Sequence, residues 1–247
     1  MKKPDYLIYA TLLDKFSSYL NSSEIYQQYW GFSENAEKTE EQFEQEQFQS
    51  LIDAINRKPF ESEAADMGTA FNEVIDCLIE NRKSDKMEIS SDKEKAIIEV
   101  KFKTYKFQFP LSLCLEFSHY FKDALTQQRV TAQLETKYGI VEVYGVIDEL
   151  LPNSVHDIKT TSKYSAFKYK NGWQHIVYPF CLIRNGHNIT DFEYNITNFK
   201  DTFIESYTYQ PERDEPKLIL HCEAFIEFLE LNKNLITDKK IFNFLTL

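Results

Sequence analysis

Two strand-like runs joined by a short turn constrain this chain more than any other feature. Residues 139–151 and 155–161 both read as β-strands, with Pro152-Asn153-Ser154 between them. Proline, asparagine and serine favour a tight turn for different reasons: a fixed φ, and side chains that bond to the local backbone. A hairpin closed there pairs residues near Asp148 with residues near Asp157. Side chains alternate along a strand, so Asp157 and Lys159 project from the same face. The fold therefore has to gather two carboxylates and one ammonium into a single small patch.

The remainder can be read around that hairpin. Residues 6–30 read as helical with a break near 21–23, and Leu12, Leu13, Phe16 and Leu20 share one face. Residues 33–58 read as an amphipathic helix stopped before Pro59, with Phe43, Phe48, Leu51, Ile52 and Ile55 on its apolar side. A helix follows over 64–82, with Gly68 inside it, then a polar loop over 84–94. From 95 to 109, Ile98, Val100 and Phe102 alternate with Glu99, Lys101 and Lys103, which predicts a strand or hairpin. Pro110 starts a helix running to about 126, and 129–136 is a strand. Helices over 165–184 and 218–234 flank a strand over 189–196. This pattern predicts an α/β or α+β fold, a mixed central sheet flanked by helices in one domain spanning 1–247.

Composition excludes several functions. Only six glycines occur and none form a glycine-rich loop, so no P-loop or dinucleotide cradle is available. The four cysteines, Cys77, Cys114, Cys181 and Cys222, are far apart, which removes zinc ribbons and iron–sulfur clusters and points to a reducing, cytoplasmic setting. No signal-peptide core and no run of 18 apolar residues occurs, so no membrane partner is expected. A net charge of −11 argues against coating nucleic acid by bulk attraction. It leaves room for a local grip, because carboxylates that bind a cation add charge that the cation cancels.

Two carboxylates with open water positions suit Mg²⁺ or Mn²⁺. Lys159 would orient the attacking water or the phosphate, or accept a proton. A second D-x-K triplet, Asp238-Lys239-Lys240, lacks this context and reads as a surface helix or turn.

Gly145-Val146-Ile147-Asp148, then Asp157-Ile158-Lys159-Thr160-Thr161, then Gln174-His175-Ile176-Val177-Tyr178 resembles the RecB-type branch of the PD-(D/E)XK nucleases, in particular its phage exonuclease-eight-like members. The likeness spans roughly residues 64–180. It implies a restriction-endonuclease-like fold and a metal-dependent nuclease acting on DNA, an exonuclease of recombination, repair or phage DNA processing. It also implies a recombinase or single-strand annealing protein as a possible partner and allows an oligomer. On this resemblance Asp148 and Asp157 are metal ligands, Lys159 is catalytic, and Gln174 and Tyr178 support the site and contact DNA. Pro179 directly after Tyr178 departs from the pattern and should kink the helix or mark an irregular turn there. Relatives carry His, or sometimes Glu, four residues after a helical glycine. Here that position is Asn72, with Glu73 beside it and Asp76 one turn on, so either Asn72 or Glu73 is the further metal ligand.

Thr160 and Thr161 are placed to bond a phosphate or simply to favour the strand. Glu135, His156 and His175 are nearby polar residues for which a structural role is the simpler reading. Lys163, Lys168 and Lys170, interleaved with Tyr164, Phe167 and Tyr169, form the best local basic patch, a mixture that suits a DNA strand entering a groove or a solvated loop.

Overall fold

In the computed structural model, residues 3–33 and 36–242 are described. The expected helix over 33–58 includes Glu34 and Asn35, which lie outside the described residues. The framework is a mixed sheet built on one long strand, β6 (Gly139–Leu150). Along one edge it pairs antiparallel with β5 (Leu125–Thr136), interrupted only at Gln127. The other edge is shared. β1 (Tyr6–Tyr9) pairs parallel with residues 141–144, and β7 (Ser154–Thr160) pairs antiparallel with residues 149 and 150 alone. Residues 145–148 have no strand partner on that edge, so β6 and β7 splay apart beside Asp148. β8 (Asp191–Thr197) continues the sheet parallel to β7, and β9 (Thr202–Thr208) closes it antiparallel. The class is α+β, as the pattern predicts.

Helices cover both faces. α1 (Ala10–Leu20), α3 (Glu40–Ile55), α6 (Gln174–Arg184) and α7 (Pro211–Leu231) bury one core with Ile8, Val141, Val143, Ile147 and Phe192. α2 (Ser22–Trp30) packs on α3. On the opposite face α4 (Glu63–Ile79) and α5 (Leu111–Tyr120) form a second core with an antiparallel meander of β2 (Glu88–Asp92), β3 (Ile97–Phe102) and β4 (Tyr105–Pro110), reached from the main sheet by Ile158. β7 thus serves both cores by its alternation, Val155 into the first and Ile158 into the second. No helix among the described residues is long and apolar enough to cross a membrane.

Several expectations are corrected. Tyr6–Tyr9 is a strand rather than the start of the N-terminal helix, because pairing with β6 overrides its helical pattern. The polar loop over 84–94 contains β2, whose backbone is satisfied by β3. The helix after Pro110 stops at Tyr120, and β5 starts already at Leu125. Residues 165–173 are turn and irregular coil, so α6 starts only at Gln174. β9 was not foreseen, and α7 begins at Pro211, seven residues before 218, with proline in its first turn. Pro179 sits inside α6, and the helix runs on through it.

Candidate active site

The splay between β6 and β7 creates the site. Ile158 N–H has lost a ladder partner on β6, and the Asp148 carboxylate reaches across to accept it through Oδ2 at 2.9 Å. That amide belongs to the peptide joining Asp157 to Ile158, so Asp148 is drawn beside Asp157. Opposite Asp148, on the other edge, Gln127 falls out of the β5 ladder with φ 49°, so β6 is distorted on both sides at this residue.

Asp157 and Lys159 share one face of β7, as their spacing requires, and form an ion pair with Nζ to Oδ2 at 2.6 Å. Gln174, the first residue of α6, ties them together. Its Oε1 accepts from Lys159 Nζ at 2.7 Å, and its Nε2 donates to Asp157 Oδ1 and to Tyr178 OH, the latter at 3.0 Å. Asp157, Gln174 and Tyr178 are buried, whereas the Lys159 side chain keeps 25% of its surface exposed. Tyr178 lies against Gly145, and a Cβ at that glycine would sit 2.3 Å from the tyrosine Cε1. The glycine of the G-x-x-D step is therefore required by the tyrosine four residues after Gln174.

Electrostatics follow from this crowding. Burial, and then the charge of Asp157, push the Asp148 carboxyl up to about 8. Burial alone would lower Lys159, but the charges of Asp157 and Asp148 outweigh it and hold the ammonium protonated. That state fits the orienting role and disfavours the proton-accepting one. Burial raises the Tyr178 phenol, so it stays protonated.

The upstream helix contributes Asn72. Its Nδ2 donates to Asp148 Oδ2 at 3.2 Å, and its Oδ1 is buried with no partner among the described residues. Glu73 is turned away: it binds Arg82 at 2.6 Å and Lys86 at 3.1 Å. Burial would raise its carboxyl, but these two cations bring it down to about 2. The alternative that made Glu73 a metal ligand is corrected by that pairing, and Asn72 remains. Thr160 Oγ1 approaches α4 at Gly68, 3.0 Å from where a Cβ would stand. Thr161 is occupied, donating to the Lys163 carbonyl and accepting from Lys168 Nζ at 2.6 Å. Glu135 is exposed on β5. His156 faces away from Asp157, between Ser154 and Asn195. His175 stacks on Tyr207.

Two carboxylates escaped sequence reasoning. Asp14, on α1, accepts Trp173 N–H at 2.7 Å and so caps the start of α6 just before Gln174. It lines an open cavity of about 600 Å³ together with Lys159, Gln174, Lys168, Tyr169 and Tyr194. Burial is the main cause that pushes it up to about 6. Glu149 is fully buried, and neither of its carboxyl oxygens has a hydrogen-bond partner among the described residues. Burial and the charge of Asp76 push Glu149 up to about 10. The one local signal for Asp14 is a carboxylate set within the apolar stripe Leu12, Leu13 and Phe16.

The donor set fits a hard cation. Asp148 and Asp157 are carboxylates, and the orphaned Asn72 Oδ1 beside them is a buried acceptor that a cation would satisfy. No group of three or more His, Cys, Asp or Glu side chains among the described residues is arranged to hold a metal. Mg²⁺ is commonly held by one or two carboxylates and completes its shell with water, so two suffice.

Fold and site together define an α+β protein with a two-carboxylate, one-lysine centre at the opening between two strands. No family model matches the chain, and no curated protein matches it. Among solved structures it is similar to the crystal structure of SSO0001, at 13% identity and a TM-score of 0.37, over 48% of this chain and 55% of that one. The chain thus spans about half the length of that structure.

Proposed function

We propose that this chain is a divalent-cation-dependent deoxyribonuclease that hydrolyses phosphodiester bonds, working from DNA ends. The observation that carries the reading is the Gln174 amide, which binds Asp157 and Lys159 at once while Asp148 is drawn in through Ile158 N–H. A salt bridge made only for stability has no need of a buried glutamine clamp or of a second carboxylate brought up against the first. Two strongly perturbed carboxyl groups, Asp14 on the wall of the open cavity and Asp148 beside Asp157, are a further sign of function.

Asp148, Asp157 and the Asn72 carbonyl would hold Mg²⁺ or Mn²⁺, which would supply acidification of a water and neutralisation of phosphate charge. Lys159, partly exposed at the cavity wall, orients the water or a phosphate oxygen. Gln174 fixes the Lys159 ammonium, and Tyr178 fixes Gln174. Asp14 holds the start of α6, and with it Gln174, in register.

The test is incubation of purified protein with linear and circular DNA in Mg²⁺, Mn²⁺ or chelator. Linear DNA should be lost only with a cation. Asp157→Asn and Lys159→Ala should each slow cleavage about a hundred-fold or more, and Gln174→Ala roughly ten- to hundred-fold. Undiminished cleavage by Asp157→Asn overturns the assignment. A second reading, a catalytically weakened nuclease fold that binds DNA or protein, is favoured by the neutral Asn72 where relatives carry a stronger ligand. Salt-sensitive DNA binding without cleavage under every cation would select it.

A further inference from the structure

The segment after the D-x-K strand carries an aromatic residue whose ring is left exposed although its backbone is held in a pair of turns by Lys168 N–H to the Ser165 carbonyl and Lys170 N–H to the Phe167 carbonyl. No acidic residue occurs from Ile158 to Trp173, although the chain as a whole has a net charge of −11. Lys163, Lys168 and Lys170 are all exposed there. Two of the three aromatic residues between and beside them are used within the fold. The Tyr164 ring stacks on Phe203 with centroids 4.3 Å apart. Tyr169 packs against Tyr194 at 5.1 Å, and its N–H donates to Glu205 Oε2 at 3.2 Å. Lys168 Nζ bonds Thr161 Oγ1 and, at 3.1 Å, the Lys163 carbonyl. The segment is therefore tied down on both sides of Phe167.

Phe167 itself stands out in water, 70% exposed, with φ 61°. A bulky residue other than glycine in that region is strained. Phe199 shares the conformation at φ 67°, but its ring packs against Phe71 at 5.5 Å and Phe109 at 5.4 Å. Among the described residues, a left-handed backbone and a largely exposed large apolar side chain coincide only at Phe167. Its neighbours Lys168 and Tyr169 line the same cavity of about 600 Å³ as Lys159 and Gln174, so Phe167 stands next to the wall of the candidate site.

We propose that Phe167 is a stacking platform for an unpaired base, and that the strand led to the site is single-stranded DNA. This rests on the reading of the site as one that takes DNA. Flat aromatic rings with flanking cations are the means by which proteins hold single strands without reading sequence. The ring takes a base face while the three lysines follow the phosphates. A duplex presents its bases already stacked, so it gains little from an exposed ring.

Binding of a fluorescent oligodeoxythymidylate, and of a blunt duplex of equal length, is measured by anisotropy in chelator. Cleavage then plays no part. Phe167→Ala and Phe167→Gly should weaken single-strand binding about ten-fold, with little change for the duplex. Phe167→Trp should retain binding, and its added indole fluorescence should be quenched by the oligonucleotide. Phe167→Gly also relieves the backbone strain, so its melting temperature should not fall; binding lost from an equally or more stable protein separates a binding role from a structural one. Unchanged single-strand affinity in Phe167→Ala and Phe167→Gly, equal losses for the duplex, or no binding by the wild type would each overturn the proposal. A protein that binds through Phe167 and never cleaves sinks the nuclease reading alone, and one that cleaves with Phe167 dispensable sinks only this inference.

Discussion

The residues of the candidate site divide by how their positions are encoded. Asp148, Asp157 and Lys159 lie within twelve residues of one another, and strand alternation with one turn was enough to group them. Gln174 and Tyr178 were legible from their one-turn spacing on a helix. Asp14 was not, because its partner Trp173 is 159 residues away and only the folded chain brings them together. Glu73 looked as eligible as Asn72 until Arg82 and Lys86 were seen to claim it. The glycine of the G-x-x-D step supplies a residue-scale test. Its Cβ would stand 2.3 Å from a ring carbon of Tyr178, a rigid group walled in by the core. Gly145→Ala should therefore cost about 1–3 kcal/mol of stability, the usual range for overpacking. By displacing the tyrosine that holds Gln174 it should also slow the DNA cleavage proposed for this site. Chemical denaturation and a rate assay check both, and an unaltered unfolding midpoint would show that Tyr178 is not pressed against Gly145.

At the scale of elements, what sequence showed well was what local pattern decides. The β5, β6 and β7 strands and α3, α4 and α7 all follow hydrophobic spacing, and their errors are confined to ends. β1 was missed because Tyr6-Leu7-Ile8-Tyr9 runs into Ala10 without a breaker, and its strand character comes from β6, some 135 residues on. Residues 165–173 were misread for the converse reason. Their composition permits helix, but Glu205 and Phe203 of the unforeseen β9 bind the segment as turn and irregular coil. β5 carries a testable irregularity. Gln127 is exposed, has φ 49°, and drops out of the ladder opposite Asp148. Glycine adopts that conformation without the Cβ clash, so Gln127→Gly should leave stability unchanged or raise it by up to about 1 kcal/mol. If urea unfolding instead shows a clear loss, the kink is held by the glutamine side chain rather than imposed by the strands.

For the whole molecule, two cores meet at one sheet, and the site lies where α1 and α6 on one face and α4 on the other all reach the opening beside Asp148. A global property therefore reports on how tightly these layers close. His175, next to Gln174 on α6, stacks on Tyr207 at 4.3 Å, meets Phe192 edge-on at 6.1 Å and has its Nδ1 3.4 Å from Tyr194 OH. Burial pulls it from 6.5 down to about 4; Asp214 raises it, and Arg213 and Lys217 lower it further. Above pH 6.5 the imidazole is neutral in both folded and unfolded chains and has no effect on their balance. As pH falls from 6.5 to 4 the unfolded chain takes up a proton that the folded chain refuses, so stability is lost across that window. The shift corresponds to roughly 3 kcal/mol. His175→Phe keeps the ring stacking and has no proton to take up, while the other titrating groups change alike in both proteins and cancel. Relative to wild type, the variant should therefore gain about 3 kcal/mol between pH 7 and pH 4. Urea unfolding of the two proteins at several pH values in that range measures the difference directly. A difference that stays constant with pH would mean that the imidazole is reached by water and that the layers around α6 are looser than the packing of His175 indicates.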